Sequence, residues 1–438
     1  MVSQRKMRRT IGLIARYISP SLIRWAEKAD GRSRQGRRAK TKTAEPFIKL
    51  ALVGILAGCK GLKEVEELSE QLSPSARKKL DLPSRIADTT LRDFLAKLDP
   101  IALRHLLSVV GYDAGRRKAL RHRSDAPCPF GVLSADGKVS ATSDTSDCEL
   151  SQLHHTDGVA QYSLIRTLNS CLITAEGRPL LGSMPIAGDS NEVGTFKKAI
   201  AEVARIYGPA FRVVMYDAGG ASRDNANFVV EELGKDYIFL IANEDWLILK
   251  HMRDDLFKDE RPSFVQEEVV SDKRKVIRKI WVRGVRARRK DDIVWEHTKT
   301  LIQVENQLWE DGEQKSTYRR YAVSSLETTE LSAEQLLRLL ILRWGVETMH
   351  GVLDNTFDED DRPWLRTSAQ GALAVQMLRR VAYTLMTLFR SVTVRNEDDK
   401  LEPWRRHLQW VKTALEWASP ETIKDLRPRS FKAPPALA

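Results

Sequence analysis

The sequence predicts an α/β (α+β) chain in which a helical N-terminal region precedes a strand-rich core. Three observations carry this. Apolar residues recur at helical spacing from Pro46 to about Arg123. From Pro127 the texture changes to short apolar runs between turn residues, in the order strand, strand, strand, helix, strand, helix, strand. A second strand-rich run, about residues 245–325, then separates this block from a late helix near Ala333. A doubly wound sheet would alternate strand and helix strictly, and this order does not.

The totals narrow the function classes. With 438 residues, two or three domains with ample cores are possible. A hydrophobic content of 42% with 30% charged residues describes a soluble globular chain. The formal net charge of +12 favours polyanionic partners, because neutralised phosphates release counterions. Cys59, Cys128, Cys148 and Cys171 are scattered without a C-x-x-C pair, which argues against a zinc module or disulfide scaffold and fits a reducing compartment. Leu50 to Gly58 is apolar but too short to span a bilayer, and Arg16 interrupts the N-terminal apolar stretch where a signal peptide would need continuity. A cytoplasmic location is expected.

Taken in order, residues 1–43 hold 13 Lys or Arg against Glu27 and Asp30, and read as a basic arm. PFIKLALVGILAG is a buried helix ending at Gly58, followed by the amphipathic LKEVEELSEQL. Two more helical segments complete a small domain over 44–125, with Thr89 to Lys97 as the candidate DNA-recognition helix. PFGVLSADGKVSAT reads as a strand carrying Asp136; VAQYSLIRTLNSCLIT and RPLLGSMPIAG are two more, joined at Glu176-Gly177. A helix over Asn191 to Ile206, a buried strand FRVVMYD delivering Asp217, a second helix and the strand DYIFLIAN follow. This is the strand order of a ribonuclease H-like core, expected over 127–244 and 326–395. Residues 245–325 read as a basic β-rich insertion, because Lys273 to Lys290 holds ten cations and no acid. Within the basic runs Arg37, Arg38, Arg286, Arg288 and Arg289 are candidate DNA contacts. Ala369 to Arg390 is a long apolar helix, and 396–438 a helical segment with a Pro-rich tail.

The late helix concentrates chemistry. Ser332 and Gln335 form a capping-box pair that would start it. Arg343, Glu347, His350 and Asp354 follow at steps of four, three and four, which keeps them on one face. Alone this is a solvated stripe with an Arg343–Glu347 pair; with partners elsewhere, Glu347 becomes a metal ligand. Phosphodiester chemistry with two Mg²⁺ ions needs acids converging from separate elements, and Asp136, Asp217 and Glu347 fit if the core is as read. Trp344 reads as core-facing rather than base-stacking, His154-His155 with Asp157 as a polar loop rather than a metal cluster, and the acids of DNTFDEDD as solvated or capping.

Ala135-Asp136-Gly137-Lys138, the strand VVMYDA, and Arg343-Trp344-Gly345-Val346-Glu347 with His350, Leu353-Asp354, Phe357 and Glu359-Asp360 together resemble the motifs of DDE-type bacterial insertion-sequence transposases of the H-repeat-associated group. RSRQGRRAKTKTAEPFIKLALVGILAGCKGLKEVEE resembles the N-terminal region of that family, and the likeness covers roughly 32–390. Departures fall at Gly219-Gly220, at Ile241 to Glu244 and at Thr348. The resemblance implies a ribonuclease H-like catalytic domain with Asp136, Asp217 and Glu347 as catalytic metal ligands for two Mg²⁺ ions, Mn²⁺ being a possible substitute. It further implies that Arg343 and Lys138 contact DNA phosphate, that terminal inverted repeats and target DNA are the partners, and that a homodimer or larger assembly works at the bacterial nucleoid. A metal-dependent nuclease without strand transfer, and a catalytically silent DNA-binding derivative, are the alternatives.

Overall fold

The structure is a computed structural model describing residues 4–32, 43–143, 148–156, 159–258, 260–285, 294–360, 363–432 and 434–435. Its centre is one ten-stranded sheet. β1 (Val132–Ser143) pairs antiparallel with β3 (Val159–Leu172) and parallel with β5 (Val213–Tyr216), which pairs parallel with β6 (Asp236–Ile241). β2 (Ser151–Thr156) and β4 (Leu180–Pro185) lie end to end on the outer edge of β3. The order β4-β3-β1-β5-β6 is the ribonuclease H-like arrangement expected from the sequence. β2 was not foreseen: it carries His154 and His155, read as a loop, while Asp157 lies outside the described residues.

The β-rich insertion interrupts the chain but not the sheet. β7 (Phe264–Ser271), β8 (Arg274–Gly284), β9 (Thr300–Glu310) and β10 (Glu313–Ser324) form an antiparallel meander, and the end of β10 pairs with β6 from Tyr321↔Ile241 to Ser324↔Ile238. The ten cations of Lys273 to Lys290 were expected to need an external partner. The six described ones find theirs within the protein: Lys275 meets Glu267 at 3.0 Å, Lys279 meets Glu305 at 3.5 Å, and Lys273, Arg274, Arg278 and Arg283 pair likewise with Asp311, Glu310, Glu268 and Glu260. Arg286, Arg288 and Arg289 lie outside the described residues.

Helices cover both faces, and strand alternation assigns the layers. Val213 and Met215 point into one core, Val214 and Tyr216 into the other. On the second face lie α9 (Glu192–Tyr207) and α10 (Arg223–Glu231). The first face carries α3 (Glu45–Leu56), α4 (Leu62–Gln71), α5 (Pro74–Leu80), α6 (Asp88–Leu95), α7 (Pro100–Leu103) and α8 (His105–Arg116) around the long α14 (Ala369–Leu388), whose residues are buried almost without exception. The N-terminal arm is a correction. Its described part is two helices, α1 (Gln4–Tyr17) and α2 (Pro20–Glu27), whose Ile11, Ile14, Leu22 and Ile23 are at most 1% exposed. Apolar residues at helical spacing outweigh the basic composition there. α1 packs on α16 (Trp404–Trp417) and α17 (Pro420–Ile423), so both ends of the chain close one helical layer, and Phe431 of the supposed tail lies against Tyr17. Arg37 and Arg38 lie outside the described residues. The four cysteines are free, and among the described residues no helix is long and apolar enough to cross a membrane.

Candidate active site

The parallel register of β1 and β5 builds the site. Ala135 lies beside Tyr216, so the next residues of the two strands, Asp136 and Asp217, sit together at the carboxyl end of the pair. Asp217 opens a turn in which its carboxylate accepts the Gly219 N–H. Gly220 is required there: a Cβ would come within 1.9 Å of the Tyr216 ring. The Gly-Gly departure from the family pattern thus lets the turn fold tightly over Tyr216.

Glu347 comes from the late helix, which is two helices rather than one. The Ser332–Gln335 capping box forms and opens α12 (Ala333–Leu342); the chain breaks at Arg343-Trp344 and restarts as α13 (Gly345–Asn355). The polar row survives the break and runs along β1. Arg343 donates to Glu347 at 2.8 Å, Nδ1 of His350 stands 3.6 Å from Asp136, and Asp354 accepts from Lys138 at 2.6 Å. Glu347 is half exposed and faces a cleft of about 320 Å³ that Asp217, Glu244, Arg319 and Arg343 also line. The ligand oxygens of Asp136, Asp217 and Glu347 do not all lie within 4.8 Å of one another.

The electrostatics mark the place. Burial pushes the Asp136 carboxyl up to about 7, and the charges of Asp217, Glu347 and Glu192 add to it; Arg343 opposes them. Glu192 is the acid that sequence reasoning missed. It begins α9 (Glu192–Tyr207), and its own carboxyl is raised by burial and by Asp217. It fits over β1 because residue 137 is glycine: a Cβ there would come within 1.8 Å of the Glu192 carboxylate. An acid in a first helical turn is common for the helix dipole alone, so nothing local set it apart. On the same face α10 (Arg223–Glu231) follows the Asp217 turn.

Beneath the acids a buried network fixes the His350 ring. The Arg380 side chain is fully buried, and its guanidinium holds Glu359 at 2.7 Å, Thr167 at 3.0 Å and Asn169 Oδ1 at 3.4 Å. Ser183 also donates to that oxygen at 2.8 Å, so the Asn169 amide nitrogen faces His350 Nε2 at 3.1 Å. Nε2 therefore accepts, and the proton sits on Nδ1, toward Asp136. Burial, with Lys138 and Arg380 nearby, holds the His350 pKa down to about 3, so the ring is neutral.

Three expectations change. The acids of the DNTFDEDD run are not all solvated or capping: Glu359 is fully buried, and although burial opposes its charge, Arg380 and Arg379 keep its carboxyl below the usual range. Lys138 is 7% exposed and turns its ammonium to Asp354 on α13 and, at 3.2 Å, to Asp360 in the turn beyond it rather than to solvent. Trp344 is half-buried, with the Arg320 guanidinium 5.1 Å from its ring centre. Arg343 is 3% exposed, and its Nη1 is buried with no hydrogen-bond acceptor among the described residues.

Residues 132–381, from the start of β1 into α14, match the family described as transposase DDE domain. The chain belongs to that family. No curated protein matches it. As a member of the DDE transposases it falls among proteins that use divalent metals, act on DNA, and cleave and join phosphodiesters as a class. The matched span takes in Asp136, Asp217 and Glu347 as well as Glu192, His350 and Arg380 beside them.

Proposed function

We propose that this transposase binds the ends of its own insertion sequence and cuts and joins DNA at the Asp136, Asp217 and Glu347 site. What supports the reading is that β1, the β5 turn and α13 bring these acids near enough for Asp217 and Glu347 to act on Asp136, whose carboxyl burial and those charges push up to about 7. Acids set against one another at a partly buried site favour a divalent cation, and hard oxygen donors suit Mg²⁺ or Mn²⁺. Asp136, Asp217 and Glu347 would hold two such ions, which when bound lower the pKa of water and stabilise charge on the attacking and leaving oxygens.

The other residues act around those acids. His350 faces Asp136 with Nδ1 at 3.6 Å, just beyond a direct hydrogen bond, and would steady that carboxylate when it holds a cation. Arg343 lines the cleft beside Glu347 and is the cation proposed to meet a DNA phosphate there, once its buried guanidinium turns outward. Hydrolysis of a phosphodiester at the element end exposes a 3′-hydroxyl. That hydroxyl then attacks a target phosphodiester, forming a new P–O bond as the target strand breaks. The exposed face of α6, with Thr89, Thr90 and Arg92, is the surface proposed for the end sequence, and a dimer or larger assembly would hold two ends together.

The test is cleavage of DNA carrying the terminal repeats with Mg²⁺ present. Substitution of Asp136, Asp217 or Glu347 by Ala should lower the rate on the order of 10³-fold or more, and the wild type should yield joined products. Near-wild-type cleavage by any of the three variants would overturn the assignment. Nicks without joined products would support the plain nuclease instead.

A further inference from the structure

A second charged feature lies apart from the acids, on the helical layer that joins the two ends of the chain. A cleft of about 290 Å³ is lined by Arg5, Arg8, Arg9, Arg16, Arg395 and Arg429 and, among the described residues, by no acidic one. The arginines come from three stretches: α1, the segment after α14, and the chain beyond α17. On α1, Arg5, Arg9, Gly12 and Arg16 follow at steps of four, three and four, which puts them on one face. Gly12 has no side chain to fill the middle, and the apolar Leu13, Phe389 and Leu426 form part of the wall.

Half of these cations are matched by the protein. Arg8 meets Asp425 at 3.0 Å, Arg9 meets Asp399 at 3.8 Å, and Arg429 meets Asp113 at 3.7 Å while lying over the Tyr17 ring. Arg5, Arg16 and Arg395 are exposed and have no acidic partner among the described residues. A solvated basic helix face would spread its cations outward along a single element. Here they converge from three stretches around an apolar wall, where self-repulsion opposes folding unless an anion enters. Guanidinium favours phosphate, which it can bind through two parallel N–H donors.

We propose that this cleft binds the phosphate backbone of DNA. The inference rests on the reading that the chain acts on DNA, and adds a surface distinct from the candidate contacts Arg37, Arg38, Arg286, Arg288, Arg289, Arg343 and Lys138, although four of its arginines lie in the N-terminal stretch that reads as a basic arm. Three unmatched guanidiniums call for several anionic charges side by side. A nucleic-acid backbone supplies them as successive phosphates.

The experiment uses the full chain and duplex DNA across a salt series. The triple variant Arg5→Ala, Arg16→Ala, Arg395→Ala should give a slope of log affinity against log salt shallower by about 2 to 3, near one unit per lost phosphate contact. Its thermal midpoint should equal or exceed that of the wild type, because removal of mutually repelling charges does not weaken the fold. An unchanged slope, or a fall in the midpoint, overturns the proposal. So does stabilisation of the wild type, but not of the variant, by inorganic phosphate when the two bind DNA alike; the cleft would then take free phosphate. Complete absence of DNA binding by the wild type would remove the underlying reading, whereas a steep wild-type slope reproduced by the variant removes the cleft alone.

Discussion

The two halves of the sheet treat charge in opposite ways. On β7 to β10, the described cations of the basic run each face an acid on a neighbouring strand or loop, so the ladder is balanced. At the ends of β1 and β5 acids are set against acids, and Asp136 is driven to about 7 although Arg343 opposes the shift. Cross-strand pairs of opposite sign stabilise a sheet modestly; buried like charges destabilise one and persist where a ligand answers them. Charge density in the sequence is therefore a poor guide to function in this chain. Charge left unmatched after folding is a better one.

A third case separates the two. Glu359 and Arg380 are both fully buried yet matched, so they belong with the balanced half despite lying under the acids. Glu359→Ala should cost about 3–5 kcal/mol of stability, because it leaves a buried guanidinium without its counter-charge. Chemical denaturation measures this, and a loss below about 1 kcal/mol would mean that the pair is not a structural support.

Asp136 should behave in the opposite sense. Its carboxyl stands at about 7 in the fold against an ordinary 3.8. The folded state therefore holds the proton more tightly than the unfolded state, and the metal-free protein loses stability as pH rises from about 4 to 7, with no further loss above. Asp136→Asn removes that dependence. The variant should match the wild type near pH 4 and exceed it by on the order of 4 kcal/mol above pH 7. A constant difference between the two across that range would show that Asp136 is not strained by its neighbours.

The smallest effect belongs to the balanced ladder. Lys275 and Glu267 lie 3.0 Å apart with both side chains well exposed. Lys275→Ala should change stability by no more than about 0.5 kcal/mol. A larger loss would mean that the extension depends on its charge pattern more than on its backbone pairing.

Much of this was legible in the sequence, and the reasons are local. Apart from β2, the strand order from Val132 to Ile241 follows from alternation and turn residues, and the parallel register then brings Asp136 and Asp217 together. The Ser332–Gln335 box fixed the start of α12 because both halves of a capping box lie within one turn. What stayed hidden depends on contacts distant in the chain. The partner of Arg380 is an acid 21 residues earlier, inside a run that looks solvated. The pairing of β10 with β6 joins segments about 80 residues apart, which no periodicity encodes. The basic N-terminal stretch reads as an arm by composition, whereas the helical spacing of Ile11, Ile14, Leu22 and Ile23 buries it in the core.

The most direct measurement of the central claim is calorimetric titration of the DNA-free chain with Mn²⁺, in the wild type and in Asp136→Asn, Asp217→Asn and Glu347→Gln. Each substitution keeps size and hydrogen-bonding shape but removes one carboxylate charge. The site as described predicts saturable binding by the wild type and a loss of about tenfold or more in affinity in each variant. Binding equal to wild type in all three variants would contradict it.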